Sequence, residues 1–349
     1  MKILVVANLY PNEEKPYWGT FVRECYLGYL ENDVEADLSV IRKSGVVGYV
    51  LFYLKTFFKI LFGKHDIVHV HYVSHSVFPV LVAKVFRNFK LILNFHGSDA
   101  FSELGEKGWK IRVKEILNKV ALRYAALVVF PSENFKKQVV DYYSIKKECF
   151  VSPSGGVRKE IFEFRLGENN TVLFVGRLIK EKGAITAAKA IKKCEIGINK
   201  STFIGSGPEE QEVKNLMGGH EKVVKGLMSH SELAMEMAKH DILLFPSIRK
   251  GESLGLILVE AIFSGMIPIA IKNGAVAEIF PVELVNDLIA DNEQEFECKL
   301  ERLINLDLLS KKDIKMKLLE YTVQRFEHGN VSINLVNKIS KLMSENKYA

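Results

Sequence analysis

Short, nearly uninterrupted apolar runs recur along this chain, each separated from the next by a stretch with helical spacing. They read KILVVAN (2–8), DIVHVHY (66–72), KLILNFHG (90–97) and ALVVFPS (126–132). Strands that are apolar on both faces belong in a parallel sheet covered by helices on either side. Around Val151 the texture changes to the turn-rich SPSGGVRKE. The alternation then starts afresh with TVLFVGRL (171–178), NKSTFIGSGP (199–208), KVVKGLM (222–228), DILLFPS (241–247) and MIPIAI (266–271). The pattern predicts two α/β halves in tandem, residues 1–153 and 154–325, with a helical tail, 326–349, crossing back onto the first half. A length of 349 residues suits two domains better than one core.

Composition narrows the partners. The net charge of +6 arises from 48 Lys and Arg against 42 Asp and Glu, spread along the chain without an arginine-rich tract, so no nucleic acid is expected. Cys25, Cys149, Cys194 and Cys298 lie far apart and form no C-x-x-C pair, which argues against a zinc knuckle or a disulfide framework. A reducing cytoplasm is the expected compartment. The opening MKILVVANLYP reads as a short strand entering a proline turn, not as a secretory leader. One segment stands apart: VVGYVLFYLKTFFKILF (46–62), apolar but for Lys55 and Lys59. As a helix it either packs on a sheet, with Tyr49, Phe52, Tyr53, Phe57 and Phe58 covering much of its girth, or lies on a membrane surface.

Open α/β sheets bind ligands beyond the carboxyl ends of their strands, which selects the loops carrying Gly19, His96, Arg177, Gly205 and Glu252. Within GESLGLILVE (251–260) lies G-x-S-x-G, so a serine hydrolase built on Ser253, with Asp287 and His328 following in order, is one reading. Five residues between the strand end at Phe245 and Gly251 displace that serine from the strand tip and weaken it. A dinucleotide fingerprint fails, because Glu210 stands where the third glycine of G-x-G-x-x-G belongs. His69 and His71 share one face of a strand, but with no acid or cysteine at ligand spacing they read as core histidines and no metal is expected. His96, in HGSD at a strand end, is a functional candidate.

Two further stretches suit a nucleotide. After TVLFVG come Arg177, Lys180 and Lys182, and Gly183 then opens the helix AITAAKAI; helix amides and fixed cations both favour a diphosphate. If a helix begins near Leu254, Glu252 stands at its threshold and Glu260 lies roughly 12 Å along its axis at 1.5 Å per residue. That span approximates the separation of sugar and ribose in a nucleoside diphosphate sugar, and carboxylates accept hydrogen bonds from the hydroxyls of both.

Taken together, GESLGLILVE, FVGRLIKEKG (174–183), IGSGPE (204–209), DILLFPS, HGSD and WGTFVRE (18–24) resemble the retaining glycosyltransferases of family 4 in order and spacing over nearly the whole chain. The resemblance implies a GT-B fold, two facing Rossmann-like domains with an interdomain cleft. It implies that Arg177 and Lys182 hold the donor diphosphate, that Glu260 binds the ribose, and that Glu252 meets the transferred sugar. It also implies that the amides of Gly255 and Leu256 lie near the phosphates, the backbone around Leu227 near the base, His96 near the reacting carbon, and the Gly19 and Thr20 loop over the phosphate. Trp18 before Gly19, and Ser253 with Leu254, depart from the family's usual residues and leave the donor sugar open.

The expected reaction is a retaining, metal-independent transfer from a nucleoside diphosphate sugar to a saccharide acceptor, without a cofactor. A membrane contact through 46–62 would make the acceptor lipid-linked and place the enzyme in surface polysaccharide assembly, cytoplasmic and peripheral on the membrane's inner face. A non-hydrolysing sugar-nucleotide epimerase of the same architecture is the nearer alternative.

Overall fold

The computed structural model describes residues 1–16, 18–42, 45–101, 106–218, 221–224, 228–249 and 251–345. It divides the chain into two units, residues 1–156 with 328–349 and residues 157–327.

The strands of the first unit are β1 (Lys2–Ala7), β2 (Glu35–Val40), β3 (Ile67–His71), β4 (Lys90–Asn94), β5 (Ala125–Phe130) and β6 (Cys149–Val151). Its helices preceding the second unit are α1 (Thr20–Glu31), α2 (Gly45–Phe62), α3 (Val73–Ser76), α4 (Phe78–Phe86), α5 (Gly108–Tyr124) and α6 (Glu133–Tyr143). All six strands run parallel in the order β2-β1-β3-β4-β5-β6. The apolar runs became the central strands, buried on both faces: Leu4, Val6, Val68 and Leu91 enter one core, Ile3, Val5, Ile67 and Ile92 the other. The two edge strands, EADLSV and CFV, are not among the strands that the apolar pattern predicts. An edge strand is partly solvated and needs no continuous apolar run, so EADLSV gives no such signal.

Val157–Glu327 repeats the plan. Here β7 (Thr171–Val175), α7 (Ala184–Lys193), β8 (Lys200–Ile204), α8 (Glu210–Met217), β9 (Glu221–Val224), α9 (His230–Met237) and β10 (Ile242–Phe245) come first. They are followed by α10 (Leu256–Phe263), β11 (Ile267–Ile271), α11 (Val282–Leu288), β12 (Ile289–Ala290), α12 (Glu293–Ile304) and α13 (Leu308–Phe326). The sheet is again parallel, ordered β12-β11-β10-β7-β8-β9. Buried Asp241, just ahead of β10, takes Lys311 at 2.9 Å and Lys315 at 2.6 Å, which ties α13 to the sheet.

The tail is a separate helix, α14 (His328–Glu345), whose Leu335, Ile339 and Leu342 join the core of the first unit with Ile3, Val5 and Val22. At its start His328 is held on both ring nitrogens, Nδ1 2.7 Å from the Gly155 carbonyl and Nε2 2.8 Å from Glu31.

Candidate active site

In each sheet the strand order reverses once, and such a switch point leaves the loops at the strands' carboxyl ends splayed around a crevice. In the second unit the reversal falls between β7 and β10. The loop after β7 carries Arg177 and Lys182; the loop after β10 carries Glu252. Lys182 Nζ donates to Glu252 Oε2 at 2.6 Å, with both side chains more than four-fifths buried. The lysine also lies 5.5 Å from the Phe245 ring centroid. Arg177 is exposed in the same loop, and no hydrogen bond or ion pair engages its side chain among the described residues.

Several backbone contacts fix this meeting. Gly183, φ +73°, caps α7 where any Cβ would come within 2.3 Å of the Pro246 carbonyl oxygen, so the two loops touch only because that position lacks a side chain. Ile248 N–H donates to the Glu181 carbonyl at 2.9 Å, and Ser247 Oγ donates to Glu181 O at 3.2 Å and Glu252 Oε2 at 3.3 Å. From the loop after β11, Asn273 Nδ2 donates to the carbonyls of Ser247 at 3.2 Å and Arg249 at 2.8 Å. The IGSGPE turn joins the same cluster, Leu178 N–H donating to Ser206 O at 2.9 Å. Ser247 and Asn273 are not evident from sequence because their partners are distant in the chain; the Asn-Gly pair following MIPIAI was the available signal.

Helix α10 begins at Leu256, two residues later than the sequence suggests, because Gly255 adopts φ +89° and forms its left-handed N-cap. Glu252 therefore sits on the loop ahead of the helix, and its span to Glu260 is part loop, part helix. Leu256 is the first residue of α10, so its amide and that of Ile257 have no acceptor a turn earlier in the helix, whereas Leu258 N–H donates to the Gly255 carbonyl at 2.9 Å. Glu260, on the second turn, is buried, and burial pushes its pKa up to about 7. Its side-chain partner among the described residues is His230, with Nε2 3.5 Å from Oε1. Leu227 lies outside the described residues.

The corresponding edge of the first unit gathers the remaining candidates. His96 follows β4, and Asp99 Oδ1 accepts from the amides of His96 and Gly97, both at 2.9 Å, while Oδ2 accepts from Val73 N–H at 3.0 Å. Burial raises the Asp99 pKa to about 6 against the opposing pull of those amides. Gly19 is the N-cap of α1 and Thr20 its first residue; Phe21 then brings its ring to 4.4 Å from that of His96. Burial, with His69 nearby, pushes the His96 pKa down to about 3, so the imidazole is neutral.

His69 and His71 lie on β3 as expected, but folding adds what the sequence spacing concealed. Cys25 of α1 comes to them, one ligand atom from each of the three lying within 4.8 Å of the others. Hydrogen bonds account for much of this cluster: Tyr29 Oη is 2.7 Å from His69 Nδ1, and His71 Nδ1 is 3.0 Å from His96 Nε2. Burial drives the His69 pKa to about 3 and lifts the Cys25 thiol to about 12, so the group is neutral throughout.

The geometry disfavours the hydrolase. Ser253 lies between the end of β10 at Phe245 and the start of α10 at Leu256, off the strand tip. Asp287 pairs with Arg302 at 2.8 Å, and His328 has both ring nitrogens engaged in its own unit. Neither is available to a serine nucleophile.

Two six-stranded parallel Rossmann-like sheets in tandem, with cations and acids at the switch point of the second, define a protein of the GT-B class. The fold matches sucrose-phosphate synthase from Thermosynechococcus elongatus at a TM-score of 0.78, 15% identity and 99% coverage of both chains. It matches Anabaena HepE, solved with UDP and glucose, at 0.74 and 16%, covering 98% of this chain and 100% of that one. Family assignment comes from sequence: residues 21–155 match the model for Glycosyltransferase Family 4, and residues 156–317 match that for Glycosyl transferases group 1. The chain belongs to the family 4 glycosyltransferases. Among curated relatives it is 24% identical over 232 residues to the sulfoquinovosyl transferase of Arabidopsis thaliana, covering 62% of this chain and 45% of the relative. It is 26% identical over 241 residues to the 2-deoxystreptamine N-acetyl-D-glucosaminyltransferase of Niallia circulans, covering 62% and 61% respectively. The matched stretches thus span about half to two thirds of these relatives' length.

Proposed function

We propose that the protein transfers a sugar from a nucleoside diphosphate donor to a saccharide hydroxyl with retention of anomeric configuration. The observation that carries this reading is the meeting of Lys182 and Glu252 at the switch point, one loop ahead of the helix that bears Glu260. Arg177, Lys182 and the first amides of α10 supply positive potential for a diphosphate. Glu252 accepts hydrogen bonds from the transferred sugar, and Glu260 from the ribose hydroxyls. The complexes of Anabaena HepE with UDP and with UDP-glucose support a donor of this class.

In the reaction the bond from the anomeric carbon to the β-phosphate oxygen breaks, its electron pair leaving on that oxygen. The acceptor oxygen bonds to the same face of the carbon, and its proton passes to the departing phosphate. Charge thus builds on the diphosphate, where the fixed cations and amides stabilise it without a metal. In the first unit, His96 and the Gly19–Thr20 turn act on the transferred sugar and the phosphate, a role supported by the family resemblance. A lipid-linked saccharide is the acceptor, the product a surface polysaccharide, and the enzyme works at the cytoplasmic face of a membrane.

A thermal-shift screen against UDP, GDP, ADP and CMP tests the donor class, since a bound nucleotide stabilises the folded chain. Release of nucleoside diphosphate that requires an added saccharide identifies transfer. Chelator should leave that rate unchanged; a strict requirement for a divalent ion refutes the metal-free mechanism.

A further inference from the structure

Two helices of the first unit turn apolar faces outward. Helix α2 buries the line Gly48, Phe52, Thr56 and Ile60, while Val50, Leu54 and Phe58 are half exposed and Phe62 is 77% exposed. Helix α4 does the same, burying Val80 and Ala83 and exposing Val85 at 80% and Phe86 at 68%. The helices pack on each other and their faces are continuous: Phe57 meets Phe86 edge-on at 6.1 Å between centroids, and Phe58 stacks on Phe62 at 6.0 Å. Single exposed hydrophobes are ordinary, whereas a contiguous patch rimmed by polar groups marks an interaction surface.

Charge decides between occupants. Neither helix contains an acid, and Lys55 is exposed on α2 among the apolar side chains. Arg42 lies close enough to Lys55 that its charge, after partial burial, helps lower the Lys55 pKa, whereas Lys59 turns to the sheet, with Nζ 3.9 Å from Asp37 Oδ1. A second copy of the chain packed isologously would set this same acid-free, cationic face against itself. Anionic headgroups complement it, and the aromatic rings suit the zone beneath. Although α2 is long and apolar enough to cross a bilayer, it is fastened to its own sheet. Thr56 and Ser39 hydroxyls lie 2.9 Å apart, Lys59 Nζ donates to Leu38 O at 3.2 Å, and Asn8 Nδ2 donates to Tyr49 Oη at 3.1 Å. A helix lying in the interface plane keeps all three.

We propose that the joint face of α2 and α4 docks on an anionic lipid bilayer, with Phe58, Phe62 and Phe86 seated below the headgroups. This extends the proposal of a lipid-linked acceptor but rests on the surface alone, so its test contains neither donor nor acceptor. The full chain is sedimented with phosphatidylcholine vesicles, with and without phosphatidylglycerol. Wild type should co-sediment with the anionic vesicles. The combined variant Phe58→Ser, Phe62→Ser, Phe86→Ser should lower the partition coefficient about 100-fold or more while keeping the wild-type circular dichroism spectrum. Should that variant misfold, Lys55→Glu carries the test: its binding to anionic vesicles should fall roughly fivefold, and unchanged binding overturns the proposal. Wild type that stays in the supernatant overturns it too, as does a wild-type dimer that the triple variant converts to monomers. Failure of the donor reading would leave the vesicle result unaltered.

Discussion

Lys182 Nζ and Glu252 Oε2 lie 2.6 Å apart, joined across seventy positions of sequence by two loops that follow neighbouring strands. The pair puts a fixed cation, a group that can bind phosphate, beside a carboxylate that can accept from a hydroxyl, and the proposed donor role of both can be tested one residue at a time.

Removing that cation should show first in binding. Lys182→Ala is expected to weaken UDP or GDP binding roughly 10- to 100-fold in calorimetry, the range for a lost charge-assisted hydrogen bond. Arg177→Ala should weaken binding to a similar degree while changing stability by no more than about 0.5 kcal/mol, because the side chain is exposed. Unchanged affinity in either variant contradicts its role at the diphosphate.

Glu252→Gln keeps the shape of the side chain and an acceptor for Lys182. Its turnover should fall about 100-fold or more, with the melting temperature close to wild type, because the loss concerns the transferred sugar more than the fold. A variant retaining full kcat removes Glu252 from the chemistry.

Glu260 carries a pH signature. Its folded pKa of about 7 stands above the ordinary 4.5 because the carboxyl is buried. Below 4.5 it is protonated in both states; between 4.5 and 7 the unfolded chain ionises first, so stability falls as pH rises through that window and stays low above it. The loss amounts to about 3 kcal/mol. Glu260→Gln should therefore melt higher than wild type in alkaline buffer and nearly together with it near pH 4.5, while binding nucleoside diphosphate more weakly. Equal melting temperatures at every pH would show that the carboxyl is not held neutral.

The contact at Gly183 makes a stability prediction. Gly183→Ala meets both the left-handed backbone and the Pro246 carbonyl at 2.3 Å, so it should destabilise the second unit by more than about 2 kcal/mol in denaturant unfolding. A change below about 0.5 kcal/mol would mean that the loops after β7 and β10 are free to part.

The central strands announce themselves in the chain because burial on both faces demands continuous apolar runs, and parallel order follows from the helices between them. Glu252, Glu260, Arg177 and Lys182 stand out as candidates because each sits in a short stretch whose own spacing carries meaning. EADLSV gives no such signal, since an edge strand is partly solvated and needs no continuous apolar run.

Sequence by itself determined the central strands of both sheets and which charged residues follow them, because those are properties of local pattern. Tertiary structure alone decided that Lys182 meets Glu252, that Asn273 and Ser247 brace the loop ahead of α10, that Cys25 joins His69 and His71, and which apolar residues α2 shows outward. Each of these depends on the order in which strands assemble and on which side of a helix meets the sheet. Both are settled by packing between segments far apart in the chain, and no local window records them.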